Sequence, residues 1–172
     1  MTTYGLTSDL AIAPRGVPES DAVARSTLEA LLLETGRPLL IPGSAALPAD
    51  FAERIAIAWK PTPQAARAVA FAMPFLANAK EITILTVEEE EGRNDAAERL
   101  VSQLAWHGVR STVARLIPGS AGAAATLLTA ATARAGLLVM GGYGHTRLRE
   151  WVFGGFTQLV LDSATLPVLM AH

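Results

Sequence analysis

The sequence predicts an α/β protein, a doubly wound five-stranded parallel sheet with helices on both faces in a three-layer sandwich. Three observations carry that reading. From residue 54 onward, short runs of aliphatic and β-branched residues alternate with longer stretches whose apolar positions recur at helical spacing. Proline, glycine and capping residues mark the joints between them. The 172 residues are 51% hydrophobic and 17% charged with a net charge of −2, which suffices for one compact core plus part of another and excludes a disordered chain.

Each element has its own signal. Arg54–Trp59 (RIAIAW) reads as the first strand. Thr62-Pro63 then supplies a capping hydroxyl and a proline at the first helical position, and a helix follows to about Asn78 with Pro74 near its last turn. Glu81–Val87 (EITILTV) is the second strand. A helix over about Asp95–His107 shows its stripe at Ala97, Leu100, Val101 and Leu104, and Gly108 is a left-handed stop. Arg110–Ile117 is the third strand. Ser120 is placed to cap a helix to about Ala135, which Gly136 ends. Leu137–Met140 is apolar throughout and reads as a central strand. A glycine-rich loop, a helix over about Gly155–Ala164 and a last strand, Val168–Ala171, complete the unit. The expected strand order is the flavodoxin-like 3-2-1-4-5. Its first and fourth strands are neighbours at the switch point, so the loops starting at Lys60 and Gly141 are where a ligand would sit.

The chain divides near residue 50. Residues 51–172 form the complete domain, and residues 1–50 read as a strand, a helix, a strand and a linker. Ser26–Pro42 parallels Gly155–Ala171, with Pro38 opposite Pro167, and Asp9–Ala13 parallels Gly136–Met140. The segment is thus expected to repeat the last third of the domain. The other reading is an unrelated helical extension.

Several function classes drop out. The chain has no cysteine, so disulfides and thiolate metal sites are excluded, and three scattered histidines (His107, His145, His172) argue against a transition-metal site. The charge balance is wrong for a basic nucleic-acid surface. Apolar runs stop short of the ~20 residues of a membrane span, and residues 1–10 have no signal-like pattern, so a cytoplasmic location is expected. The serines lack a nucleophile-elbow context, and no catalytic pair is visible. The acidic run Glu88–Glu91 reads as a solvated loop.

The remaining signal is the glycine spacing Gly141-x2-Gly144-x9-Gly154, followed by Gly155. Glycines leaving a central strand, with others opening a helix, can cradle a phosphate on backbone N–H groups. There is neither a Gly-Lys-Ser/Thr sequence nor a dinucleotide fingerprint after the first strand. This spacing, in the string VMGGYGHTRLREWVFGGFT of the fourth βα unit, resembles the universal stress protein family. The resemblance covers about residues 54–172 and is similar to the second half of tandem members, with residues 6–42 resembling the tail of a first half.

The resemblance implies an adenine-nucleotide α-hydrolase-like fold and a stress-response binding module with at most slow ATP hydrolysis. It implies ATP or AMP at a site drawn from Lys60, Val87, Met140, Gly141, Gly142, Gly144, Arg147, Gly154, Gly155 and Thr157. Two departures stand out. The nucleotide-binding pattern has an aspartate where this chain has Lys60, and a serine or threonine where it has Gly155, although Thr157 keeps a hydroxyl nearby. Lys60, with Arg147 and Arg149, can serve an anion instead. Otherwise the glycines serve backbone turns and the chain is a structural or regulatory dimer without nucleotide. Trp151 and Phe153 are expected to cover a core edge or an interface. The last strand (Val168, Leu169, Met170) is taken to be an edge whose partner is either the same strand of another chain or Leu39, Leu40 and Ile41 of this chain acting as the missing half, and a homodimer is expected through that strand and/or the N-terminal piece, docked or swapped.

Overall fold

A computed structural model of the chain describes residues 4, 6–14, 22–43, 47–87, 95–142 and 155–172. The elements, in order, are β1 (Ala11–Ile12), α1 (Ala22–Glu34), β2 (Leu39–Ile41), β3 (Arg54–Ala58), α2 (Pro63–Leu76), β4 (Glu81–Val87), α3 (Ala96–Trp106), β5 (Thr112–Leu116), α4 (Gly122–Arg134), β6 (Leu137–Gly141), α5 (Gly155–Ser163) and β7 (Val168–Ala171).

Among the described residues one sheet contains all the strands, in the order β1-β2-β7-β6-β3-β4-β5. The five strands from β3 to β7 run parallel in the expected 3-2-1-4-5 order, with β3 and β6 as neighbours. Apolar residues on successive positions explain why helices cover both faces. Ile55 and Ile57 point to one core with Val69, Ala72 and Leu76 of α2 and Leu100 and Leu104 of α3. Ala56 and Ala58 point to the other, with α1, α4 and α5.

Local chemistry sets the helix ends. Thr62 caps α2, its Oγ1 accepting from the Ala65 amide at 3.2 Å, and Pro63 follows in the first turn. Pro74 lies in the last turn, and α2 ends at Leu76 rather than Asn78. Gly108 stops the chain after α3 with φ +75°. The cap expected from Ser120 does not form. The N-cap of α4 is Ala121, which has no capping side chain. Thr126 Oγ1 instead accepts from the Gly119 amide at 2.9 Å and donates to the Gly122 carbonyl at 3.0 Å, closing the turn from inside the helix. Edge strand β5 is tied to α3 by the Arg115–Glu98 ion pair.

One expectation is overturned. The last strand is not an edge. The side of β7 away from β6 is taken by β2, which runs antiparallel to it in register Leu39↔Met170, Leu40↔Leu169 and Ile41↔Val168. The edges of the sheet are β1 and β5. The reason is the run Leu39–Ile41 itself: three consecutive apolar residues need cover on both faces, and all three are buried once placed beside β7.

The pairing has internal symmetry. With Pro38 set against Pro167, Leu39 matches Val168, Leu40 matches Leu169 and Ile41 matches Met170. Exchanging the two strands then leaves every pair of the register unchanged, as at an isologous interface, with Leu40 and Leu169 on the axis. The next strands obey the same rule. Ala11 pairs with Leu39 as Leu138 pairs with Val168. The Ala11 amide donates to the Pro38 carbonyl at 3.0 Å, and the Leu138 amide to the Pro167 carbonyl at 2.9 Å. Residues 26–41 and 155–170 share one pattern of buried and exposed positions, differing only at Arg37 and Leu166.

Leu40→Ala and Leu169→Ala are each expected to cost about 2–5 kcal/mol in denaturant unfolding, as buried leucines do. Because the two side chains face one another across the axis, the double variant should fall short of the summed cost by about 0.5 kcal/mol or more.

Candidate functional site

The carboxyl ends of β3 and β6 lie side by side, since Ala58 pairs with Met140. The chain leaves β3 through Trp59, whose amide donates to the Leu85 carbonyl at 2.8 Å and whose indole N–H donates to the Ala96 carbonyl at 3.1 Å. The indole thus closes the gap between β3 and α3 and leaves Lys60, which is exposed, at the mouth. Thr62 then opens α2, whose free N–H groups and positive dipole end lie at the same strand ends.

The chain leaves β6 through Gly141 and Gly142, and both are held by packing. A Cβ at Gly141 would lie 2.6 Å from the Ala65 nitrogen and 2.8 Å from the Gln64 carbonyl carbon, inside the first turn of α2. A Cβ at Gly142 would lie 2.9 Å from Leu32 Cδ2 of α1. The Gly142 amide donates to the Ala171 carbonyl at 2.8 Å, and its carbonyl lies 3.2 Å from His172 Nδ1. The two glycines are therefore a wedge. One face meets the backbone of α2, and the other meets a helix of the N-terminal segment and the end of β7.

The structure thus brings Lys60, Met140, Gly141 and Gly142 to one sheet end, with Val87 half-buried at the end of the adjacent β4. Met140 and Gly142 are buried and Gly141 is half-buried. Gly155 is exposed in the first turn of α5, with no atom within 4 Å of where a Cβ would stand. Thr157 lies two residues further and is only 5% exposed. Gly144, Arg147 and Gly154 lie outside the described residues, as do His145, Arg149, Trp151, Phe153 and the run Glu88–Glu91. His107 forms the C-cap of α3 and is exposed. Among the described residues no group of three or more His, Asp or Glu side chains is placed to hold a metal ion, and no helix is long and apolar enough to cross a membrane.

Two contributors escaped the sequence reading. Leu32 comes from the N-terminal segment, and only the tertiary pairing of β2 with β7 carries it to Gly142. Gln64 lies in the first turn of α2, and its buried Oε1 has no hydrogen-bond partner among the described residues. A glutamine one residue past the Pro63 helix start was the available signal. The side chain offers a hydrogen-bond acceptor beside Gly141.

The steric account separates the glycines experimentally. Gly141→Ala, which meets helix backbone, is expected to lose about 1–3 kcal/mol. Gly142→Ala meets the tip of a flexible side chain, so Leu32→Val should recover part of its loss in thermal unfolding. Gly155→Ala should be neutral or stabilise by up to about 1 kcal/mol, because alanine is the better helix former and nothing opposes its methyl group.

The comparisons with known proteins agree with this architecture. A universal stress protein from Archaeoglobus fulgidus DSM 4304 superposes with a TM-score of 0.73 at 15% identity, covering 99% of this chain and 64% of that one. A protein of unknown function from Pseudomonas aeruginosa PAO1 gives 0.59 at 16% identity, covering 99% and 65%. A second Archaeoglobus fulgidus universal stress protein gives 0.52 at 17% identity, covering 66% and 93%. At these identities the likeness is one of fold, and this chain spans about two thirds of the length of the first two. A comparison with curated proteins gives no match. The sequence pattern of the universal stress protein family matches residues 85–172, just over half of the chain, from the end of β4 through the glycine pair to the last strand. The glycine wedge and the strand that follows α5 both lie inside that match, and the chain belongs to the universal stress protein family.

Proposed function

We propose that the chain is a cytoplasmic stress-response binding module, and not an enzyme, that takes an adenine nucleotide or another phosphate ligand in the crevice between the ends of β3 and β6. The observation that carries the reading is the meeting, at the switch point of the sheet, of the α2 N-terminus, Lys60 and the Gly141-Gly142 backbone. Lys60 supplies a cation for phosphate at the position where the family pattern has an acceptor. The orphaned Gln64 Oε1 supplies an acceptor for a ribose hydroxyl four residues further on. Among the described residues no acid–base pair of groups lies at this crevice, and we read any hydrolysis as at most slow. The N-terminal segment is read as the last third of a second copy of the domain, docked along β7. The expected homodimer then forms by exchange of that segment between chains or by contact at another surface.

A second reading draws on the steric facts. Gly141 and Gly142 are glycines because no side chain fits there, and Thr157 is buried. On that reading the chain is a structural or regulatory protein that works through protein partners without nucleotide.

Titration calorimetry separates the two. With ATP, AMP and inorganic phosphate as titrants, the first reading expects saturable heat with ATP, weakened about tenfold or more by Lys60→Glu, as loss of a charge-assisted hydrogen bond implies. Gln64→Leu should weaken AMP and leave phosphate unchanged. No heat with any of the three at millimolar concentration supports the second reading.

A further inference from the structure

Strand β6 is bound to β7 in continuous parallel register, from Leu138↔Val168 to Gly141↔Ala171. The amides of Leu138 and Gly142 both donate to that side, to the Pro167 and Ala171 carbonyls at 2.9 and 2.8 Å. In a parallel ladder the N–H and C=O of one residue point to the same neighbour, so the Gly142 carbonyl faces β7 as well. Its donor there is a side chain. His172, with a half-buried ring, places Nδ1 3.2 Å from the Gly142 oxygen. A carbonyl oxygen only accepts, so Nδ1 carries the proton.

The bond answers a difficulty that Gly142 creates. The residue is buried, and a buried carbonyl without a donor is costly. A side chain at 142 would press on α1, since its Cβ would lie 2.9 Å from Leu32 Cδ2. Glycine avoids that contact and has the freest backbone of any residue. The Ala171 bond holds the Gly142 amide, and the Leu32 contact holds its Cα. Neither fixes ψ, the angle that aims the carbonyl. Turned the other way, the oxygen would face the β3 side. Strand β3 has ended there at Ala58, and the chain has bent to β4 through the Trp59 amide. That is the crevice of Lys60 and the α2 N-terminus. A carbonyl aimed into it would set partial negative charge where a phosphate is read to bind.

We propose that His172 is a positioning residue of the crevice. Its Nδ1–H fixes the Gly142 carbonyl on the β7 side and keeps the end of β6 open to the negatively charged part of a ligand. This role rests on the reading of the crevice as a phosphate site. His172 acts through Gly142. Neutral Nδ1–H and protonated rings both keep the donor, so the hydrogen bond, rather than the charge of the ring, carries the role.

Two measurements on the full chain need no ligand. Nitrogen NMR in alkaline buffer, where imidazole is neutral, should show His172 as the Nδ1–H tautomer. The Gly142 carbonyl carbon resonance should move in His172→Phe and return in His172→Asn, whose side-chain amide N–H stands in for Nδ1–H. Titration calorimetry with ATP and with inorganic phosphate then reads the consequence. His172→Phe should weaken both about three- to tenfold, as loss of one hydrogen bond implies, and His172→Asn should bind within about twofold of the unmutated chain. An Nε2–H tautomer, or equal weakening in the Phe and Asn variants, would overturn the proposal. Heat with the unmutated chain that His172→Phe leaves unchanged overturns this role alone. No heat with the unmutated chain overturns the phosphate reading and this role with it.

Discussion

The antiparallel pairing of β2 with β7 is the constraint on which the rest of the architecture depends. Without it the first fifty residues hold too little apolar surface to fold alone. With it, Leu39, Leu40 and Ile41 become buried, each burial contributing about 1.5–3 kcal/mol. The pairing joins β1 and β2 to the five parallel strands as one seven-stranded sheet, and α1 and α5 cover the same core. Its symmetric register means that two similar surfaces meet as the halves of a dimer would, although one chain supplies both.

That contact reaches the candidate site. Leu32 sits on α1 three residues after Glu29 and touches Gly142, so the floor of the crevice between β3 and β6 is built partly from the N-terminal segment. Gly141 is fixed from the other side by the first turn of α2. The backbone leaving β6 is thus clamped between two helices from different parts of the chain. Such a clamp gives a ligand pre-formed backbone groups, and it also explains the glycines when no ligand is present. The proposed roles of Lys60 and Gln64 are what distinguish a binding crevice from a packed joint.

Much of this was legible in the sequence. Strand and helix periods placed β3 to β7 within a residue or two, because long apolar runs and proline or glycine joints leave little choice. The alternation narrowed those strands to the doubly wound orders, and the expected 3-2-1-4-5 is the one found. The N-terminal parallel with the end of the domain was visible through Pro38 and Pro167. The partner of β7 was legible as one of two candidates, the same strand of another chain or Leu39–Ile41 of this one, and the second is found. Leu39–Ile41 reads equally well as a strand for its own chain or for another, and only tertiary contact decides. The same limit hid Leu32, whose neighbour lies 110 positions away in sequence. Thr126, inside α4, closes the turn before that helix in place of Ser120, through its bonds to the Gly119 amide and the Gly122 carbonyl. Gly144, Arg147 and Gly154, outside the described residues, are known only from their spacing.

The N-terminal strand–helix–strand and the following domain form one cooperative core through β2 and β7. Native-state hydrogen exchange tests it most directly. The amides of Leu39, Leu40 and Ile41 are expected to exchange with the same opening free energy and denaturant dependence as those of Val139 and Leu169, in a single global unfolding. Exchange of the β2 amides through a separate opening of low free energy, while Val139 and Leu169 stay protected, would contradict it.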